Sequence, residues 1–410
     1  MKNFLALLWI LGWSVITTSD LKGQDAEALK DTLVNRGTLV NRDTLVDRDT
    51  LVDRDTLVDR ETLVDRETLA MQGTTLPISS PESQGVSTAG LCQFIQAADT
   101  GVDSMHSVIV LRHGHVILQA YWKPESAEKP HVLWSLSKSF TSTAVGLVIQ
   151  EGKLSLDDQV IQFFPEDLPE TQSENLKAMR VRDLLTMTAG HSEEVDWRKA
   201  KHWARAFLAH PVPHTPGTHF RYNTPATYML SAIVQKVTGQ TVLEYLKPRL
   251  FQPLGIEDPR WDRSPQDVSI GGYGLFLKTQ DIAKFGQLYL QQGQWNGKQL
   301  VPADWIKQAT SKQVSNGEGG SSDWAQGYGF QFWQCRNNAF RGDGKDGQYC
   351  IVVPEQDLVV AITANTGNMQ KELNFVWDKL LPALHDKPRE DDTKAQQELK
   401  TLVQGLKASR

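Results

Sequence analysis

Residues 134–141 read Trp134-Ser135-Leu136-Ser137-Lys138-Ser139-Phe140-Thr141, and an apolar run follows them as far as Gln150. Side chains three positions apart on a helix are neighbours, with roughly 5–6 Å between their Cβ atoms. The Lys138 amine can therefore lie beside the Ser135 hydroxyl. A serine hydroxyl is a weak nucleophile unless a neighbouring base accepts its proton. The stretch predicts an acyl-transferring serine at the start of a helix; the competing interpretation is that Ser135 only caps that helix.

The same Ser-x-x-Lys spacing occurs at two further places in the chain. One pair, Ser19 and Lys22, follows the apolar N-terminal segment. The other pair, Ser126 and Lys129, lies in a loop flanked by two prolines, which disfavour a helix. Only Ser135 precedes a helix-length apolar run, so Ser135 is the candidate nucleophile.

Composition excludes some classes of function. The formal net charge of the 410 residues is -6, whereas nucleic-acid-binding domains usually carry a clustered basic face. A catalytic metal is also not expected, because the chain has no His-Glu-x-x-His motif and prolines separate His210 from His214. We expect no metal and no cofactor. The histidines considered as metal ligands are His191, His202, His210, His214 and His219.

Residues 1–75 are predicted to lie outside the folded domain. Residues 1–23 have the pattern of a signal peptide, with Lys2 before an apolar core at 4–13 that is shorter than the roughly 20 residues of a membrane span. We therefore expect a periplasmic or secreted protein with no transmembrane segment in its mature chain. Residues 24–75 are a linker containing a hexapeptide repeat at 31–68, interpreted as a charged spacer or, alternatively, as a self-associating or surface-tethering stalk.

The remaining pattern predicts an α+β fold. Strand-like apolar runs lie near both ends of the region 76–386, and helical patterns lie between them. This order indicates an antiparallel sheet flanked by helices, with a helical insertion at about 152–260 and a charged C-terminal tail at 387–410. The predicted strands are residues 107–111, 116–122, 271–277, 328–335, 348–353 and 358–363.

Three cysteines, Cys92, Cys335 and Cys350, remain after the predicted signal peptide. Cys335 and Cys350 flank neighbouring predicted strands, so they either form a disulfide in an oxidising compartment or are small buried apolar side chains.

Further motifs follow the serine in a fixed order. They are Gly152-Lys153-Leu154-Ser155-Leu156-Asp157-Asp158, residues 181–190 (VRDLLTMTAG), residues 216–224 (PGTHFRYNT), residues 271–275 (GGYGL) and residues 347–354 (GQYCIVVP). Together these segments resemble the serine β-lactamase and penicillin-binding-protein superfamily. They are most similar to its class C β-lactamase-like branch, which includes esterases, D-amino-acid peptidases and 6-aminohexanoate-oligomer hydrolases. The resemblance extends over roughly residues 77–385 and implies the β-lactamase/transpeptidase-like fold.

The resemblance implies roles for the residues of these motifs. Ser135 would form the acyl-enzyme, and Lys138 and Tyr222 would be its general bases. We expect burial to lower the pKa of Lys138, and the lysine charge to favour the Tyr222 phenolate. The backbone amide of Ser135 and a donor from the segment around Asp343 and Gly344 would stabilise the oxyanion.

The departures from the family pattern concern substrate binding. The second motif reads Tyr-Asn-Thr, so Thr224 or Asn223 would contact the substrate. The Lys-Ser/Thr-Gly motif of β-lactamases is missing, and Arg341 lies near its position. We therefore expect a small-molecule or peptide-like ester or amide as the substrate. The alternatives are a D-peptidase or β-lactamase, and a non-catalytic ligand-binding relative of the penicillin-binding proteins.

Overall fold

The computed structural model describes residues 75–194 and 196–408. The predicted signal peptide at 1–23 and the predicted repeat linker at 24–75 lie outside these residues, Thr75 excepted, and remain predictions. In the part of the chain that the structure describes, no helix is both long and apolar enough to cross a membrane.

A six-stranded antiparallel sheet lies at the centre of the fold. The strands of the described residues are β1 (Met105–Arg112), β2 (His115–Tyr121), β3 (His131–Val132), β4 (Arg260–Trp261), β5 (Leu275–Leu277), β6 (Gln294–Trp295), β7 (Lys298–Gln299), β8 (Trp333–Gln334), β9 (Phe340–Gly344), β10 (Gln348–Val353) and β11 (Leu358–Ala364). The large sheet has the order β2-β1-β11-β10-β9-β8. Strands β1 and β11, from opposite ends of the chain order, pair with each other, and Val108 lies opposite Ile362. A small sheet, β3-β5-β4, and the β6-β7 hairpin are separate from it.

Helices cover both faces of this sheet, so the predicted α+β class is confirmed. They are α1 (Thr88–Gly101), α2 (Ser137–Gln150), α3 (Glu174–Ala178), α4 (Val181–Leu185), α5 (Trp203–Ala209), α6 (Thr224–Thr238), α7 (Val242–Leu246), α8 (Thr279–Leu290), α9 (Ala303–Ala309), α10 (Met369–Phe375) and α11 (Thr393–Gly405). Helices α3 to α7 fall in the segment 152–260, which contributes no strand to the six-stranded sheet.

Strand β1 shows how the sheet separates two apolar cores. Val108 and Val110 point into the core that contains α1, whereas Ile109 and Leu111 point into the core that contains α2. Successive side chains of a strand point to opposite faces, so a strand covered on both sides is apolar throughout. The continuous apolar runs of the sequence therefore reflect a central sheet between two helical layers.

Helix α2 is buried from Ser137 to Val148, and this burial holds its N-terminal end in place. Phe140 stacks on Phe285 with 3.9 Å between ring centroids. Gly146 permits close packing, because a Cβ atom there would lie 2.4 Å from the Trp305 ring. Ser135, just before α2, is thus positioned by the core.

Two predicted strands near the site are wrong in their limits, and one strand was not predicted. The strand expected at 271–277 forms only at β5, Leu275–Leu277. The predicted strand at 328–335 is a strand only at β8, because Gln331 has φ of +66° and its N–H donates to Leu185 O. Residues 340–344, not predicted as a full strand, form β9. Its charged residues, Arg341 and Asp343, pair with each other and so tolerate burial.

The predicted charged tail at 387–410 contains helix α11, which packs against α1. Leu399, Leu402, Val403 and Leu406 pack on the core beside α1, and Leu406 is 3% exposed. Their spacing is the i, i+3, i+4, i+7 pattern of an amphipathic helix, which the many charged neighbours masked in the sequence.

All three cysteines are buried and free. Of the two interpretations offered for Cys335 and Cys350, the structure therefore favours buried apolar side chains over a disulfide. Cys350 donates its thiol hydrogen to Ile282 O over 3.6 Å, on the side of the sheet that faces α8.

Candidate active site

Ser135 lies in a turn of 3-10 helix, Trp134–Leu136, immediately before α2. The residue that precedes α2 is Leu136, and it makes no side-chain cap, so capping does not account for Ser135. Trp134 has φ of +46°, a conformation that a bulky residue adopts only where the surrounding structure holds it. The turn presents Ser135 to a cavity of about 520 Å³.

Lys138 is 1% exposed and lies directly beneath Ser135. Its Nζ donates to Ser135 Oγ over 2.9 Å and to Gly272 O over 2.8 Å, with Thr224 Oγ1 at 3.5 Å. Burial lowers the pKa of Lys138 to about 7, against the opposing charges of Glu194 and Asp343. The amine can thus be neutral near neutral pH, as the sequence led us to expect.

Tyr222 completes the group around the nucleophile. Its hydroxyl is hydrogen-bonded with Ser135, and Lys138 Nζ lies 4.9 Å from the centre of its ring. Burial, with the nearby Asp343 charge second, raises the pKa of Tyr222 well above its ordinary value. The expectation of a favoured phenolate is therefore wrong for the resting site, because loss of solvent outweighs the Ser135 hydrogen bond and the Arg341 charge, which lower the pKa of Tyr222.

The two candidates for substrate contact after Tyr222 point in different directions. Thr224, the first residue of α6, lines the cavity. Asn223 is 1% exposed, and its Nδ2 contacts His191 Nδ1 at 2.9 Å. The structure therefore brings Thr224 to the cavity and keeps Asn223 in the interior.

Arg341 does not reach the cavity, and its prediction as a substrate contact is corrected. It is fully buried, donates to Asp343 Oδ2 over 3.0 Å and lies 4.6 Å from the Trp324 ring centre. A second nitrogen donates to Asp323 O over 2.8 Å. The centre of the Trp333 ring lies 5.6 Å from the guanidinium carbon. The Arg341 guanidinium is therefore surrounded by interior partners.

Asp343 and Gly344 lie at the end of β9 beside the nucleophile's turn. Asp343 is 7% exposed, and its charge influences the pKa values of both Lys138 and Tyr222. Gly344 lies so close to the chain before Ser135 that a Cβ atom would be 2.1 Å from Leu133 O. This strand end is thus next to the site, where the second oxyanion donor was predicted.

Several residues of the site were not found from the sequence. Arg198 and Tyr273 are two of them, and they line the cavity together with Trp134, Ser135, Thr224 and Lys345. Glu194 accepts the Thr224 N–H over 3.0 Å. The Gly-Gly-Tyr motif offered a signal for Tyr273, but the approach of Glu194 and Arg198 depends on the path of a long loop and leaves no local pattern.

The histidines of this region are distributed among different contacts. His191 is buried beside Phe207, and His214 stacks on His219 with 4.1 Å between ring centroids. Within residues 75–194 and 196–408, no group of three or more His, Cys, Asp or Glu side chains is arranged to hold a metal ion.

Comparison with known proteins shows the family to which the chain belongs. The family described as Beta-lactamase matches residues 95–383. An uncharacterised protein of Alkalihalophilus pseudofirmus is 26% identical, over 51% of this chain and 66% of its own length. The 6-aminohexanoate-dimer hydrolase of Paenarthrobacter ureafaciens is 25% identical, over 62% of this chain and 70% of its own length. The chain thus spans about two thirds of these curated relatives.

The fold is also similar to that of a solved structure. EstCE1, a hydrolase with promiscuous acyltransferase activity, superimposes with a TM-score of 0.58 at 19% identity, over 72% of this chain and 99% of its own. The family match covers well over half of the chain and includes every residue of the site described above. The chain belongs to the β-lactamase family of the serine β-lactamase and penicillin-binding-protein superfamily, whose members include amide and ester hydrolases.

Proposed function

We propose that the protein is an exported serine hydrolase that cleaves an ester or amide through an acyl-enzyme on Ser135. The observation that carries the proposal is the 2.9 Å contact between Ser135 Oγ and the buried Lys138 amine. A nucleophile within hydrogen-bond reach of a base of suitable pKa is the arrangement that acyl transfer needs. A non-catalytic binding protein has no requirement for it.

In the acylation step, neutral Lys138 accepts the Ser135 proton while Oγ attacks the substrate carbonyl carbon. The Tyr222 hydroxyl, protonated in the resting site, donates its proton to the leaving group as the scissile bond breaks. The Lys138 ammonium then returns a proton to Tyr222. In deacylation, a water molecule takes the place of the leaving group and gives its proton to Lys138, and Ser135 is released with its proton restored.

The substrate class follows from the side chains that the cavity presents. The missing Lys-Ser/Thr-Gly motif has no counterpart at the cavity, because Arg341 near its position is buried. The cations that do line the cavity, Arg198 and Lys345, come from a loop and a turn, so their arrangement differs from that motif. This favours an ester or an open-chain amide over a β-lactam. The names of the relatives, a 6-aminohexanoate-dimer hydrolase and a hydrolase with acyltransferase activity, support the same choice.

The experiment offers the full chain three chromogenic substrates: a p-nitrophenyl ester, the p-nitroanilide of the same acyl group and a chromogenic cephalosporin. We expect turnover to decrease in that order, and an intact-mass adduct that maps to the peptide containing Ser135. Folded protein that shows neither turnover nor adduct with any of the three would contradict the proposal and favour the ligand-binding alternative.

The place of action is part of the proposal. The apolar segment after Lys2 and the small residues near Ser19 support export to the periplasm or the medium. Cell fractionation tests this part separately from the chemistry.

The pH dependence of kcat/KM is expected to follow Lys138. Only the neutral amine accepts the serine proton, so kcat/KM should rise with pH through a midpoint near 7, the pKa of Lys138. The Glu194 charge raises the pKa of Lys138, so Glu194→Gln should move the midpoint to lower pH. Glutamine keeps a carbonyl oxygen that can accept the Thr224 N–H.

The matched control is Glu193→Gln, a change of equal charge at an exposed neighbouring position that is not among the groups shifting the Lys138 pKa. Its midpoint should coincide with that of the wild type. A pH-independent kcat/KM, or a midpoint that rises in Glu194→Gln, would show that Lys138 is not the titrating base.

A further inference from the structure

The cavity in front of Ser135 has an unusual balance of charge. Its lining consists of Trp134, Ser135, Arg198, Thr224, Tyr273 and Lys345. Two of these six side chains are cations and none is an acid. A volume of about 520 Å³ is within the range of pockets that bind small molecules.

Each cation lies over an aromatic ring of the same cavity. The Arg198 guanidinium carbon is 6.0 Å from the centre of the Tyr273 ring, and Lys345 Nζ is 5.4 Å from the centre of the Trp134 ring. Such contacts hold the guanidinium of Arg198 and the ammonium of Lys345 in place. They leave N–H groups of both side chains able to donate to an anion. The two cations come from different elements, Arg198 from the loop before α5 and Lys345 from the turn between β9 and β10.

The nearby carboxylates leave these cations largely available. Asp343 is buried and paired with Arg341, and Glu194 is directed at the Thr224 N–H. Lys345 lies 3.4 Å from Asp346, but the Lys345 side chain is 70% exposed, and ion pairs of exposed side chains contribute about 0–1 kcal/mol. In the described residues, no ion pair is formed by Arg198. A ligand carboxylate can therefore compete for both cations.

We propose that the site selects anionic substrates: esters or amides that carry a carboxylate, which Arg198 and Lys345 bind at the mouth of the cavity. This inference rests on the proposed hydrolase function and deepens it. The interior cation Arg341 takes no part, so recognition of the anion depends on a loop and a turn at the surface. The aromatic rings of Trp134 and Tyr273 contact the apolar part of the same substrate.

The test compares matched esters that differ in one charge. Mono-p-nitrophenyl adipate and p-nitrophenyl hexanoate place a carboxylate or a methyl group at the end of the acyl chain. m-Carboxyphenyl hexanoate and phenyl hexanoate place the difference on the leaving group. We expect kcat/KM to favour the anionic member of at least one pair by about tenfold, mainly through KM, and we expect added salt to reduce the preference.

Variants assign the preference to the two cations. Arg198→Gln and Lys345→Gln should each reduce the ratio of anionic to neutral kcat/KM by about five- to tenfold. Lys199→Gln and Lys201→Gln remove exposed cations of the same loop that do not line the cavity, and their ratios should match the wild type.

The outcomes separate the inference from the function on which it rests. Hydrolysis of neutral and anionic esters at equal rates, or a preference unchanged in both cavity variants, would overturn the selection of anions and leave the hydrolase standing. Absence of turnover with all four esters, and of an adduct on Ser135, would overturn the hydrolase and the inference with it. The ratio in the wild-type protein needs no variant, so it remains decisive even for a variant that folds poorly.

Discussion

Replacing Ser135 by alanine is expected to reduce kcat for ester hydrolysis by on the order of 10⁴-fold or more. The substitution removes the one oxygen that lies 2.9 Å from Lys138 Nζ and faces the cavity. Without it, the acyl-enzyme cannot form, and Lys138 can only assist direct attack by water. The measurement is kcat for a p-nitrophenyl ester, together with intact mass after mixing with substrate, which should show no adduct.

The matched control for this change is Ser126→Ala. Ser126 belongs to another Ser-x-x-Lys match, but it lies in an exposed loop outside the cavity. The control should keep wild-type kcat and form the adduct. Retention of more than a tenth of wild-type activity in Ser135→Ala, with its melting temperature unchanged, would exclude Ser135 as the nucleophile.

The position of the nucleophile could be predicted because its signal is local. Ser135 and Lys138 are one helical turn apart, so their contact follows from helix geometry once α2 is recognised. The strands near the two chain ends were predictable for a similar reason, since apolar runs of strand length report burial directly. Their pairing, with β1 beside β11, joins segments that are distant in the chain and has no local signal in the sequence.

The direction of the Arg341 side chain and the pKa of Tyr222 could not be predicted in the same way. The sequence places Arg341 near the expected substrate contact, but its direction depends on Asp343 and on the rings of Trp324 and Trp333. The pKa of Tyr222 depends on how completely the fold removes it from water. Both are properties of packing between segments that are distant in sequence.

Replacing Lys138 by methionine is expected to reduce kcat by about 10²- to 10⁴-fold, the usual contribution of a general base. Methionine preserves much of the side-chain volume in a site that is 1% exposed, but it offers no amine to Ser135 Oγ. Substrate contacts at the cavity are retained, so KM should change much less than kcat. A variant with wild-type kcat would exclude Lys138 as the base.

The same variant should reveal the stability cost of the buried amine. Burial lowers the pKa of Lys138 from 10.5 to about 7, so at pH 7 and below the folded protein carries the full cost of protonating it. Between pH 7 and 10.5 the unfolded chain binds more protons, and the wild type gains stability as pH rises. Methionine does not titrate. The hydrogen bonds that are lost with the lysine amine, including the one to Gly272 O, cost about the same at every pH.

The melting temperature of Lys138→Met minus that of the wild type should therefore be greatest at or below pH 7 and should decrease steadily toward pH 10.5. The expected change across this window corresponds to a few kcal/mol. Lys153→Met, which removes an exposed lysine paired with Glu151, should show no comparable trend. A difference that is independent of pH would mean that Lys138 keeps an ordinary pKa, and the neutral amine required for attack by Ser135 would then be scarce at neutral pH.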